Sequence, residues 1–238
     1  PPADTLAAFR ARGTVTVVTV TSAHEAALAS DAGADCLCVQ GPEAGGHRGT
    51  FASSAPGSSR GSDPAAPAGA PAASGTGGPA GSGGQEGPGL LELLGEVAAV
   101  TDLPLAAAGG LAGPEDVSAA LTAGAAAAQL GTMFLRCPES GANPVHKAAL
   151  TDPRFTTTAV TRAFSGRPAR GLLNQFMLDH PAAPAAYPEI NNATRPLRAA
   201  AAAAGDHDRM SLWAGTGFRA AAGRPAAAVI AWLARGLH

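Results

Sequence analysis

The sequence predicts an α/β fold built on a parallel sheet. Two observations carry the prediction. Short apolar or β-branched runs alternate with stretches of helical periodicity. Three of those runs also end in glycine, at the carboxyl end where parallel α/β folds hold ligands.

Taken in order, residues 15–20 (VTVVTV) read as the first strand, because β-branched side chains suit a pleated, half-buried surface. Ser22 and Glu25 then have the spacing of a capping box, and Gly33 marks the stop of the helix they open. Residues 36–40 form the second strand. Leu90, Leu93, Leu94 and Val97 fall on one face of a second helix. Residues 104–110 (PLAAAGG) are the third strand. Pro114 opens a helix with Val117, Ala120 and Leu121 on one face and Gly124 at its end. Residues 125–131 (AAAAQLG) are the fourth strand. From 139 the pattern turns helical and irregular, and a last helix around 225–237 is expected to pack on the outside.

One stretch breaks this rhythm. Residues 52–88 are almost entirely Ala, Gly, Ser and Pro, with Arg60, Asp63 and Glu86 as the only charges. Such a segment buries too little apolar surface to offset its ordering entropy, and reads as a disordered insertion.

Composition narrows the function. A formal net charge of −2 over 238 residues argues against an electrostatic grip on nucleic acid or on anionic membrane. No apolar run approaches a membrane span, and no signal peptide opens the sequence. Aromatic residues make up only 4%, so the core must be built from Ala, Val and Leu. Cys36, Cys38 and Cys137 are odd in number and lack zinc spacing; small buried thiols in a reducing cytoplasm are the reading they favour. The six histidines show no metal-ligand spacing, so no metal site is expected. A serine nucleophile elbow and a phosphate-binding P-loop are also missing.

The chemistry is expected at three strand ends: Gln40 with EAGGHRG, the pair Gly109–Gly110, and QLGT at Gln129, Leu130, Gly131 and Thr132. All three lie on one side of a parallel sheet. Bare backbone N–H groups beside a hydroxyl suit a phosphate-bearing cofactor. Gly45 and Gly46 precede His47, whose imidazole titrates near neutrality and can take a proton from a carbon acid.

The segments GADCLCVQGPEAGGHRGTF, PLAAAGGLAGPEDVSAALTAGAAAAQLGTMFL and LWAGTGF, in that order, resemble the nitronate monooxygenase (2-nitropropane dioxygenase) family. TRAFSGRPARGLLNQF and YPEINNATRPLRAAA fit the same resemblance. It implies a TIM-type (β/α)8 barrel holding FMN, here partial, with 15–20 as about the fifth strand and roughly the last four strands present. Residues 1–138 would be the C-terminal part of that barrel, 139–210 a helical subdomain or lid, and 211–238 a return to the barrel ending in a helix. By the same resemblance Gln40, Gly45, Gly46, Gly109, Gly110, Gln129, Leu130, Gly131 and Thr132 would contact FMN, and His47 would be the catalytic base. The implied reaction converts an alkyl nitronate or nitroalkane, with oxygen, into a carbonyl compound and nitrite. Thr216 stands where the family carries glutamine. The missing strands imply either a longer parent chain or completion by another copy or a partner. Two other readings stand beside this one: an FMN-dependent enoyl-acyl-carrier-protein reductase, and a truncated, non-catalytic remnant.

Overall fold

The computed structural model describes residues 2–51, 87–235 and 237. The low-complexity stretch 52–88 therefore lies, but for its last two residues, outside the described residues. Helix α1 (Ala3–Arg10) opens the described chain and strand β1 (Val17–Val20) follows. The strand starts later than the β-branched run suggested, and Val15 lies before it, largely exposed. Helix α2 (Ala23–Asp31) begins where the capping box places it: Ser22 Oγ accepts the Glu25 N–H at 3.2 Å. Strand β2 (Cys36–Gln40) matches the sequence reading, and a two-residue strand β3 (Gly46–His47) forms inside the glycine loop.

Helix α3 (Leu90–Ala98) buries Leu90, Leu93, Leu94 and Val97, the predicted face. Strand β4 (Leu105–Ala108), helix α4 (Pro114–Thr122) and strand β5 (Ala127–Gln129) complete the alternating part. A parallel sheet in the order β1-β2-β4-β5 results, so the α/β expectation holds. Register places Val18 beside Leu37 and Leu37 beside Leu105, with Val20, Val39 and Ala107 in the next such row. These six side chains meet α2 and α3 in one buried cluster. The other face carries Val17, Thr19, Cys36 and Ala106, and there Val17 is 56% exposed.

Beyond residue 139 the structure differs from the helical region anticipated. Helix α5 (Pro144–Ala149) is followed by strands β6 (Thr158–Thr161) and β7 (Ala169–Leu172). With β3 they form a second, antiparallel sheet in the order β3-β7-β6. Periodicity could not announce β7, because ARGL is buried at all four positions with an arginine among them. Tertiary contacts accommodate that charge: Arg170 Nε donates to the Pro42 carbonyl at 2.8 Å and Nη1 to Thr158 Oγ1 at 3.1 Å. Short helices α6 (Gln175–Asp179) and α7 (Glu189–Ala193) lead to α8 (Arg195–Ala204). Helix α9 (Ala226–Leu233) packs Val229 and Leu233 against Val117 of α4, outside the sheet as expected.

Candidate functional site

The three predicted strand ends converge. Register sets Gln40, Ala108 and Gln129 in a single row at the carboxyl ends of β2, β4 and β5, on the face turned away from the helices. They line a cavity of about 150 Å³ together with Gly45, Gly109, Gly110, Leu130, Gly131 and Thr132. Ala44, Gly215 and Gly217 complete much of its wall. The two C-terminal glycines come from LWAGTGF, which the sequence singled out as a motif but not as cavity wall.

The glycines do two different things. At Gly45 a Cβ would come within 2.5 Å of the Ala214 carbonyl carbon, so its bareness lets two loops touch. Gly109, at φ +113°, would press a Cβ to 2.9 Å from Ala44 N, and Gly110 likewise meets Glu43 Cβ at 2.9 Å. These positions build the cavity. Gly46 and Gly131 differ: among the described residues, no atom beyond their own chain neighbours lies within 4 Å of a Cβ placed there. Of the two only Gly131 lines the cavity, and there the backbone is bare toward it; Gly46 lies outside the lining.

Thr132 opens a single 3₁₀ turn directly after Gly131, and its Oγ1 accepts the Gly215 N–H at 2.9 Å. The hydroxyl hydrogen remains available to a ligand oxygen. Helix α4 offers less to an anion, because the side chain of Asp116 already accepts the Ala112 N–H at 2.8 Å at its amino end. Gln40 braces the histidine loop with both ends of its amide: Nε2 donates to the His47 carbonyl at 3.1 Å, and Oε1 accepts the Gly49 N–H at 2.8 Å. Gln129 Oε1 faces the Cys38 thiol at 3.5 Å.

His47 sits in β3, paired with Ala169 of β7. Its Nε2 lies 2.8 Å from the hydroxyl of Ser165, which is 1% exposed. The Trp213 and Tyr187 rings stand 5.7 and 6.2 Å from the imidazole, centroid to centroid. Burial, and then the guanidinium groups of Arg167 and Arg198, push the His47 pKa below its usual value of 6.5. The shift favours the neutral ring, the form that accepts a proton. Ser165, Arg167, Tyr187, Arg198 and Trp213 did not emerge as site residues from sequence, being 118 or more positions from His47. All five lie in segments that carried the resemblance, TRAFSGRPARGLLNQF, YPEINNATRPLRAAA and LWAGTGF, but none was singled out there.

Of the other histidines, His146 meets the backbone of Trp213 behind this cluster, and among the described residues no group of His, Cys, Asp and Glu could hold a metal ion. Thr216 is exposed; its N–H donates to the Glu43 carbonyl at 3.1 Å, which helps tie the 213–217 segment to the glycine loop.

The chain is similar to several known proteins. A nitronate monooxygenase of Pseudomonas aeruginosa is 40% identical over 243 residues, covering all of this chain and 61% of that protein. A probable nitronate monooxygenase of Bacillus subtilis is 34% identical over 92% of this chain and 56% of its own length. Among solved structures, the nitroalkane oxidase of Streptomyces ansochromogenes superposes with a TM-score of 0.85 at 44% identity, again over 61% of its chain. FabK of Thermotoga maritima shares the fold at a TM-score of 0.68 and 23% identity. The chain thus spans about three fifths of the length of the relatives it matches most fully. The family model described as nitronate monooxygenase matches residues 1–62 and 68–236, which include every strand end that lines the cavity, and the chain belongs to that family.

Proposed function

We propose that this chain carries the flavin-binding and proton-accepting part of an enzyme that oxidises alkyl nitronates and nitroalkanes with oxygen, giving a carbonyl compound and nitrite. The observation that carries the reading is His47, half-buried with its Nε2 2.8 Å from Ser165 Oγ, in a loop that Gln40 ties to a glycine-walled cavity.

The residues present fit FMN. Gln40, Gly45, Gly109, Gly110, Gln129, Leu130, Gly131 and Thr132 line the cavity and would hold it, with Gly46 beside them in the histidine loop and Gly131 leaving room for a flat ring system. When bound, FMN supplies the electron acceptor for the substrate and the site of reoxidation by oxygen. His47 would take the proton from the carbon beside a nitro group. Arg167 and Arg198 lower the cost of bringing an anion to the imidazole, and a nitronate is an anion. A substrate that arrives already ionised needs no base, so His47 matters most for the neutral nitroalkane.

No helix among the described residues is long and apolar enough to cross a membrane. The three free cysteines fit a reducing cytoplasm. Self-association, or a longer parent chain, would cover the sheet face on which Val17 is exposed.

The test is a visible spectrum of the purified chain after loading with FMN and removal of the excess. Retained flavin that bleaches on anaerobic addition of ethyl nitronate is the expected result. Retained flavin that bleaches only with NADH, with oxidation dependent on an enoyl thioester, would move the assignment to the reductase. A chain that never retains flavin would place the activity outside these residues. His47→Asn should keep the flavin while losing at least about 10²-fold in turnover of neutral nitroethane, the lower end of what a positioned base contributes.

A further inference from the structure

Ser165 has more hydrogen-bond partners than a single hydroxyl hydrogen can serve as donor. Its Oγ lies 3.1 Å from the Arg167 carbonyl oxygen, 3.3 Å from the Arg167 nitrogen and 2.8 Å from His47 Nε2. The Arg167 N–H can only donate. The Arg167 carbonyl can only accept, and no other donor to it is found among the described residues. Ser165 is 1% exposed, so its own hydroxyl must find its partners within the protein. Giving the hydroxyl hydrogen to that carbonyl satisfies the turn, and Oγ is then an acceptor toward the imidazole.

We propose that Ser165 is a positioning residue that holds His47 in the tautomer protonated on Nε2, leaving Nδ1 as the proton-accepting atom. This rests on His47 being the base of the function proposed above. In the step itself the Cα–H bond of the neutral nitroalkane breaks, its electron pair forms the C=N bond of the nitronate, and the N=O π pair moves onto the nitro oxygen. The proton goes to Nδ1, leaving an imidazolium whose Nε2–H still donates to Ser165.

The turn is built to stay put. Gly166, at φ +78°, has no room for a Cβ against the Ala186 carbonyl, and Ser165 N–H donates to the Arg162 carbonyl at 3.2 Å. Thr194 Oγ1 donates to the Phe164 carbonyl at 2.5 Å. The loop leading to α7 and the start of α8 therefore fix the serine, and the serine fixes the ring. Trp213 and Tyr187 limit where that ring can turn.

The decisive measurement is a long-range ¹H–¹⁵N correlation spectrum of the chain labelled with ¹⁵N-histidine, recorded above the His47 titration. His47→Asn identifies the resonances by their loss. Expected is a protonated ring nitrogen coupled to both carbon-bound ring protons, which marks Nε2–H. A protonated nitrogen coupled to Hε1 alone would mark Nδ1–H and overturn the proposal.

Ser165→Ala should convert the single pattern to an averaged one, and Ser165→Thr, which keeps the hydroxyl, should restore it. An unchanged pattern in Ser165→Ala would also overturn the proposal. Where the wild type turns over nitroethane, Ser165→Ala should lower kcat by about tenfold or more, within what a positioned base contributes, with KM little changed. A wild type inactive on nitroethane and nitronate but showing the Nε2–H pattern would refute the proposed function and leave the positioning role intact.

Discussion

Burial sets the ionisation of His47 before any charge is considered, and the guanidinium groups of Arg167 and Arg198 push it the same way. A base works only when deprotonated, so a lowered pKa extends its working range toward acid. The acid limb of kcat/KM for neutral nitroethane should therefore lie below pH 6.5, the ordinary histidine value. Arg198→Gln should move that limb upward, and a pre-formed nitronate should show no such limb; a limb at or above 6.5 in the wild type would contradict the environment described. Thr132 makes a second prediction at this scale. Its Oγ1 accepts the N–H of buried Gly215, and Thr132→Val removes the acceptor without changing the shape. Urea unfolding should register a loss of about 1–3 kcal/mol, the cost of stranding a buried donor.

Loops and strands divide the glycine positions into those whose neighbours leave no room for a Cβ and those that meet open space among the described residues. Gly45→Ala drives a Cβ into Ala214, and should lower stability by about 1–3 kcal/mol as overpacking does. Gly131→Ala meets nothing within 4 Å and has φ −111°, so thermal unfolding should shift by no more than about 0.5 kcal/mol equivalent. FMN titration should show the opposite ranking of direct effects: the Gly131 variant folds normally yet binds flavin more weakly. Equal flavin affinity in Gly131→Ala and wild type would remove this backbone from the binding surface. From sequence both positions read as glycines beside a cofactor. The distinction was invisible there because it depends on Ala214, which is 169 positions further along.

For the molecule as a whole, the ledger of polar ties concentrates where α1 and the strands meet. Hydrogen bonds from the Thr16 side chain and backbone, then from Arg10, hold Asp35 down to about 2 from its usual 3.8. Glu25 is desolvated by burial, which raises its pKa, but bonds from Phe51, Thr21 and Thr50 outweigh this and lower it. Both carboxyls are therefore more acidic folded than unfolded. The stability they contribute is present above their unfolded values and is lost as pH falls through the folded ones. Stability followed by urea titration should decline as pH drops from about 4 toward 2, and Asp35→Asn should flatten part of that decline. In the core, Leu37 is fully buried between sheet and helices, and Leu37→Ala should cost about 2–5 kcal/mol.

The α/β alternation, the capping box at Ser22 and the buried face of α3 were legible because each depends on neighbours within one or two turns of chain. The convergence of the three strand-end motifs on one cavity was legible for a related reason: parallel strands separated by helices bring their carboxyl ends to one side whatever their side chains are. Short-range chemistry of this kind is written along the sequence. Strand β7 was not, since ARGL becomes a strand only when Pro42 and Thr158 receive its arginine. Nor was the setting of His47, whose partners Ser165, Tyr187 and Trp213 arrive from a second sheet and from loops far along the chain. The sequence by itself determined the layered architecture and the histidine. Tertiary structure alone decided which groups surround that histidine, because burial and hydrogen bonding are properties of chain segments brought together in space.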